Sequence, residues 1–226
     1  MMALQDRFRG FTSPRKGRIV LRAQRGFSLL ELMTTVALAA IVTGVAVVTL
    51  QPGLQQSRVN SAYDTSLMVM RNYRSQAITQ RKRYIVTFTA PGTITVSYWG
   101  KNPLPPPAPD PAPVVVQTYT LPLNDTIQFA VQGGLPSTPT TVPDGFGNGT
   151  VAIDFGQGIG AGNLNYVMFM PDGSSQDTLG NYNSGVLYLT RPGDMYSSRA
   201  ISVFGTTGRV RGWRLYNQGG NKWVQQ

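Results

Sequence analysis

Hydrophobic and polar positions follow three rhythms along the chain. From Phe27 to Leu50 there is no period: every residue is apolar or small except Glu31, and LMTTVALAAIVTGVAVVTL, Leu32 to Leu50, is 19 consecutive uncharged residues. At the helical rise this run covers roughly 28 Å, close to the hydrocarbon thickness of a bilayer. It predicts a transmembrane helix over 27–51, with a buried core helix as the competing reading. Beyond Pro52 and Gly53, apolar or small residues recur at Leu54, Val59, Ala62, Ser66, Val69, Tyr73 and Ala77, and Tyr63, Leu67 and Met70 widen the stripe. Steps of three to five predict a helix with one packed face over 52–83. Pro52, which lacks a backbone donor and adjoins a glycine, predicts a kink or local melting between the two halves.

After Arg83 the period falls to two. YIVTFT and TITVSY, joined by APG, read as a hairpin whose alternate side chains face a core. Further strands are expected at VVVQTYTL, TIQFAV, TVAIDF, YVMFM, GVLYLT, RAISVF and GRVRGWRL, separated by Gly, Pro, Asn and Asp clusters. The proline-rich segment 102–113 reads as a surface loop. The expected fold is α+β: a long N-terminal helix, its first half in the membrane and its second half packed on a mainly antiparallel sheet assembly that forms a β-rich head, 84–226.

Charge sharpens this picture. The formal net charge is +10, but residues 102–190 hold six Asp and no base, and the bases gather before, within and after the helical region. Residues 1–25 carry seven Lys or Arg against one Asp. Bases on the N-terminal side of the apolar run place the N-terminus in the cytoplasm and everything after Leu50 across the membrane. TLQPGLQQ offers no small-x-small cleavage site, so the run is expected to be retained; a mitochondrial transit peptide is the alternative reading of the Arg-rich start. The sequence has no Cys and no His. This removes disulfides, thiolate nucleophiles, the usual zinc sites and His-dependent triads, and no Ser or carboxylate pair has recognisable catalytic surroundings. No enzymatic activity, cofactor or metal is expected.

RGFSLLELMTTVALAAIVTGVAV resembles the class III signal of type IV prepilins and type II secretion pseudopilins: a basic leader, then Gly, Phe, and Glu at the fifth mature position. The resemblance implies a leader, 1–26, that prepilin peptidase removes after Gly26, and Phe27 as the N-methylated mature terminus. It gives Glu31 a role in filament assembly. The chemistry agrees: Glu31 lies about 6 Å along the helix from Phe27, near the headgroups, where a carboxylate costs less than at mid-membrane. In a bundle of apolar helices it needs a cation, and the terminal amine of a neighbouring subunit's Phe27 is the natural one, fixing axial register. The alternative is a Glu that snorkels to the interface.

NYRSQAITQRKRYIVTF, VMFMPDGSS and RAISVFGTTGRVRGWRL are similar to the helix end, strand-turn element and closing strands of the GspH/FimT branch of minor pilins and pseudopilins. This implies a low-copy, tip-proximal subunit of a type II secretion or type IV pilus filament. It would act in assembly with other pilins, prepilin peptidase and an inner-membrane platform, its head in the periplasm. The second expectation is a FimT-like DNA receptor. The Gly-Arg-x-Arg pattern of that group falls on Gly208, Arg209 and Arg211, and alternation puts the two arginines on one strand face, able to fork onto successive phosphates. Arg214 and Lys222 would extend the patch, with Trp213 and Trp223 available for stacking. The bland reading has solvated arginines and tryptophans that anchor the last strand to the helix.

Three weaker motifs read as structure. QRKRY, at the helix end, complements the dipole better than it makes a second basic patch. GIGAGN partly mimics a dinucleotide loop, but no helix pattern follows it. DGSSQD could offer Asp172 and Asp177 to calcium, yet lacks an EF-hand pattern and reads as a polar turn.

Overall fold

The computed structural model describes residues 26–100, 110–121, 127–158 and 163–226. The leader up to Arg25, most of the proline-rich loop and the centre of GIGAGN lie outside these residues. The chain divides into two compact units, one ending at Val48 and one running Thr49–Gln226.

Helix α1 is assigned over Leu29–Gln80 and has Pro52 inside it. In the second unit its buried residues are Val59, Ala62, Tyr63, Ser66, Val69, Met70, Tyr73 and Ala77, the stripe expected from the spacing. Ser66 tolerates burial because its hydroxyl donates to the Ala62 carbonyl at 2.9 Å. Leu54 departs from the pattern and is 59% exposed. The helix stops where Arg81 enters the left-handed region (φ 53°) and the Lys82 N–H reaches back to the Ala77 carbonyl at 3.1 Å. This six-to-one bond is a Schellman closure, which satisfies an otherwise orphaned carbonyl. The dipole reading of QRKRY is therefore corrected. The last helical turn holds no base, Lys82 lies over the Tyr98 ring, and Arg83 already belongs to a strand and pairs with Asp110 at 2.7 Å.

The strands are β1 (Arg83–Thr89), β2 (Thr93–Trp99), β3 (Val114–Thr120), β4 (Ile153–Gln157), β5 (Tyr166–Phe169), β6 (Ser175–Gln176), β7 (Ser184–Arg191), β8 (Asp194–Val203), β9 (Val210–Asn217) and β10 (Asn221–Gln225). They form two five-stranded sheets, β3-β2-β1-β5-β6 and β10-β9-β8-β7-β4, paired antiparallel throughout. The α+β expectation holds. One expected strand does not form among the described residues: of TIQFAV, Gln128 makes an isolated bridge to Thr190, while Ile127 and Phe129 are buried in the core.

The main core joins the α1 stripe to inward residues of both sheets, among them Val86, Phe88, Ile94, Phe155, Val167, Phe169, Leu187, Leu189, Ile201 and Val203. Burying each such side chain contributes about 1.5–3 kcal/mol. Gly212 on β9 fits this core closely, because a Cβ there would lie 1.7 Å from the Tyr63 hydroxyl oxygen of α1. A second, smaller core of Leu135, Val186, Tyr188, Ala200, Leu215 and Trp223 occupies the opposite face of the β4–β10 sheet, with Val131 and Phe146 packed against it. Trp223 therefore holds the last strand to this outer core, and the anchoring expected against the helix is absent.

Candidate functional site

The first unit supplies one candidate site. Gly26, Phe27 and Ser28 precede the helix, and Phe27 is 79% exposed. A side chain built at Gly26 meets nothing within 4 Å, so the fold gives no internal reason for glycine there. Glu31 sits exposed in the first helical turn, where a carboxylate favours the positive end of the dipole by about 0.3–1 kcal/mol. It makes no ion pair among the described residues. Around it Leu29, Leu30, Leu32, Met33, Val36, Leu38, Ile41 and Val42 are all exposed. A helix that is apolar on every side requires lipid or other helices around it. The hydroxyls of this stretch suit such surroundings, since Thr34, Thr35 and Thr43 donate to the carbonyls of Glu31, Leu32 and Ala39 at 2.9, 2.9 and 2.7 Å.

The basic tail folds into something other than one face. Arg209 and Arg211 share a ring, their guanidinium carbons lying 4.8 and 5.6 Å from the centroid of Phe204. Arg211 is neutralised there by Asp144, at 2.5 Å, whose other oxygen accepts from Ser202 at 2.5 Å. Trp213 donates its indole N–H to the same Ser202 hydroxyl at 2.9 Å, so it belongs to this network and to the outer core. Arg214 lies on the opposite face of β9, paired across the ladder with Arg199 and stacked over Tyr216. Lys222 on β10 pairs with Tyr216 and is exposed on that face. The structure thus brings Arg209 and Arg211 together and separates both from Arg214 and Lys222.

Arg199 is buried and lacks a carboxylate among the described residues. It donates to the carbonyls of Tyr196, Ser197 and Ser198 and to Asn60 of α1 at 2.9 Å. Burial, and then the charge of Arg214, bring its pKa down to about 10. Asp172 and Asp177 serve their own turns. The hydroxyl and N–H of Ser174 hold Asp172 below the usual carboxylate range. Burial pushes Asp177 up, but hydrogen bonds from Asn181, Leu179 and Gly180 outweigh it and leave the group low.

Residues 21–47 match the family model described as the prokaryotic N-terminal methylation motif. The match supports a type IV pilin-like protein. No curated protein and no solved structure matches the chain. The motif points to a structural subunit and not an enzyme, with pilin filaments and prepilin peptidase as the partners it implies, and together with the exposed apolar helix it fits a single-pass inner-membrane anchor.

Three residues escaped the sequence reading. Arg71 and Arg74 of α1 line a cleft with Phe204, Thr207, Arg209 and Val210. Their signal was present, two arginines three apart beside the buried stripe, but nothing local to the helix indicated that the β8–β9 turn meets them. Asp144, in the short 3-10 turn Pro143–Gly145, also gave no hint that it would neutralise Arg211.

Proposed function

We propose that the chain is a minor pilin or pseudopilin of the GspH/FimT kind, a low-copy subunit of a type II secretion or type IV pilus filament that acts in assembly near the tip. Prepilin peptidase cuts after Gly26, Phe27 becomes the methylated terminus, and α1 enters the filament from the inner membrane with the head on the periplasmic side. The assembly platform is its membrane partner. Glu31 takes the terminal amine of a neighbouring subunit as its counter-ion. One observation carries this reading: the helix that follows Gly26 and Phe27 is apolar on every side, has a single carboxylate between Phe27 and Leu50, and that carboxylate stands unpaired among the described residues. Intact mass of the membrane-extracted protein tests it. A mature chain beginning at methylated Phe27 is expected, with Gly26→Ala still cut and a bulky residue at 26 blocking cleavage. A chain that keeps its leader in cells containing the peptidase would sink the assignment.

The rival reading is a DNA receptor, which the nearness of the Arg209 and Arg211 guanidiniums to each other favours. Asp144 weakens it by occupying Arg211, and Arg214 faces away. On this geometry Arg209→Gln with Arg211→Gln should flatten the salt dependence of duplex binding by about one unit and not two, because each phosphate contact contributes about 0.9.

A further inference from the structure

Arg71 and Arg74 from α1 and Arg209 from the β8–β9 turn converge on an open cleft of about 640 Å³ whose remaining lining is Phe204, Thr207 and Val210. No carboxylate lines it, and none of the three arginines has an ion pair among the described residues. The cleft is a built feature. Arg74 donates through Nε to the Gly173 carbonyl at 3.2 Å and through a terminal nitrogen to the Thr207 carbonyl at 2.8 Å, so two turns grip its guanidinium. The second turn closes through the Gly208 N–H to Phe204 carbonyl bond at 2.6 Å, with Gly208 at φ 59°. A Cβ at Gly208 would lie 2.0 Å from the Gly173 carbonyl oxygen and 3.0 Å from Arg74 Nε, so only glycine lets the turn reach the arginine. Arg209 is held over the Phe204 ring, which limits its rotamers, while Arg71 stays exposed.

We infer that this cleft is a socket for an acidic side chain, an Asp or Glu presented by a neighbouring protein subunit, which forks onto Arg74 and Arg209 with Arg71 closing over it. Guanidinium pairs match a planar carboxylate, and a gripped arginine has little rotamer freedom left to lose on binding. Three observations favour a carboxylate over a nucleic-acid strand. Phe204, the cleft's one ring, is already covered by Arg209 and Arg211 and packed edge-on by Phe146, leaving no free platform for a base. A carboxylate stands on each side of the cleft: Asp144 paired with Arg211 on one, and on the other Asp64, which lines with Arg199 and Arg214 the adjoining cleft that Arg71 also borders. The remaining lining is only Phe204, Thr207 and Val210, a short wall that suits one planar anion and not a row of phosphates. That the partner is another filament subunit rests on the function proposed above; the acid-accepting chemistry does not.

The test uses the full chain in detergent, with a fluorescein-labelled oligoglutamate peptide and an oligothymidylate of equal charge as probes, read by anisotropy at low ionic strength. Saturable oligoglutamate binding is expected, weakened at least about tenfold by Arg71→Gln with Arg209→Gln. Arg58→Gln, the same charge change on an exposed helix residue outside the cleft, should leave it within about twofold. Should the double variant melt lower than the parent, Arg71→Lys with Arg209→Lys replaces it; charge is then kept and the fork lost, and binding should still weaken. Absent saturable binding, or binding indifferent to either double variant, overturns the socket, and so does tighter cleft-dependent binding of oligothymidylate. A chain that binds the peptide but keeps its leader refutes the filament reading alone. A processed chain that enters filaments yet ignores the peptide refutes the socket alone.

Discussion

Substituting Gly212 by alanine should loosen the docking of α1 on the β4–β10 sheet, and the structure sets the size of the effect. The added Cβ would sit 1.7 Å from the Tyr63 hydroxyl oxygen and 2.8 Å from ring carbon Cζ, so the ring must move. The hydroxyl has no hydrogen-bond partner among the described residues, and burial pushes its pKa up, so it is packed as bulk without gaining a bond there. Overpacking of this kind costs about 1–3 kcal/mol. For a domain of this size each kcal/mol moves the melting temperature by about 2–4 °C, so Gly212→Ala should melt about 2–12 °C lower. Tyr63→Phe should gain up to about 1 kcal/mol by deleting the unpaired hydroxyl. In the double variant the 1.7 Å clash is gone and the ring contacts at 2.8 and 3.4 Å remain, so the two changes should couple by about 1 kcal/mol in the favourable direction. Thermal unfolding of all four forms in detergent, followed by near-ultraviolet circular dichroism, measures the cycle. A Gly212→Ala melt within about 1 °C of the parent, or strictly additive effects, would refute the reasoning.

Glu31→Ala should leave processing and membrane insertion intact and reduce entry into filaments, because removing one partner of a buried charge pair costs roughly 3–5 kcal/mol; equal incorporation beside wild-type subunits would show that Glu31 only sits at the interface. Asp154 on β4 is buried, and burial pushes its pKa up against the lowering effect of its Gln157 hydrogen bond. A native value above the unfolded one means the native state holds the proton more tightly, so this stability is present below about pH 4 and is lost as pH rises through the native value. Asp154→Asn should therefore raise the melting temperature at pH 7 and give no gain near pH 3; a gain independent of pH would show that charge is not the cause.

What the sequence made legible follows from how locally each feature is encoded. The stripe of α1 repeats every turn, and the β1–β2 hairpin alternates over most of its length, although Tyr84, Ile85 and Val86 are buried in succession, so both were readable. The start of β8, DMYSS, is mostly polar; the β7 ladder pairs only its Asp194, with Arg191, and the β9 ladder begins at Arg199. Strand β6 has two residues, and β10 carries its apolar weight on Trp223, so neither has a period to detect. TIQFAV misled for the opposite reason: it alternates like a strand, but among its described residues Gln128 makes an isolated bridge to Thr190 and Phe129 bonds the Pro91 carbonyl, with Ile127 and Phe129 buried in the core. The candidate site divides the same way. Gly26, Phe27 and Glu31 lie within six consecutive residues, whereas the cleft draws two arginines from the helix and one from a turn near the end of the chain.

The charge of the tail shows why composition alone misassigns a basic surface. Of its six bases, Arg191 is paired with Asp194 and bonds Gln55, Arg199 is buried on backbone carbonyls and Asn60, and Arg211 is held by Asp144. Each of these ties one piece of chain to another, and the cation is consumed by the fold. Arg214 and Lys222 remain on the face of β9 and β10 that Arg209 does not share. Arg214 meets the buried Arg199 and borders a cleft with Arg71 that Asp64 also lines, whereas Arg209 meets Arg71 and Arg74 of α1 in a cleft without a carboxylate among the described residues. Adjacent like charges are unfavourable unless solvent or an anion screens them, yet here two backbone carbonyls and a glycine that admits no side chain hold Arg74 beside them. A fold that spends geometry on keeping three guanidiniums together, while it neutralises the arginine next to them, separates the cations that build the head from those left to meet another molecule.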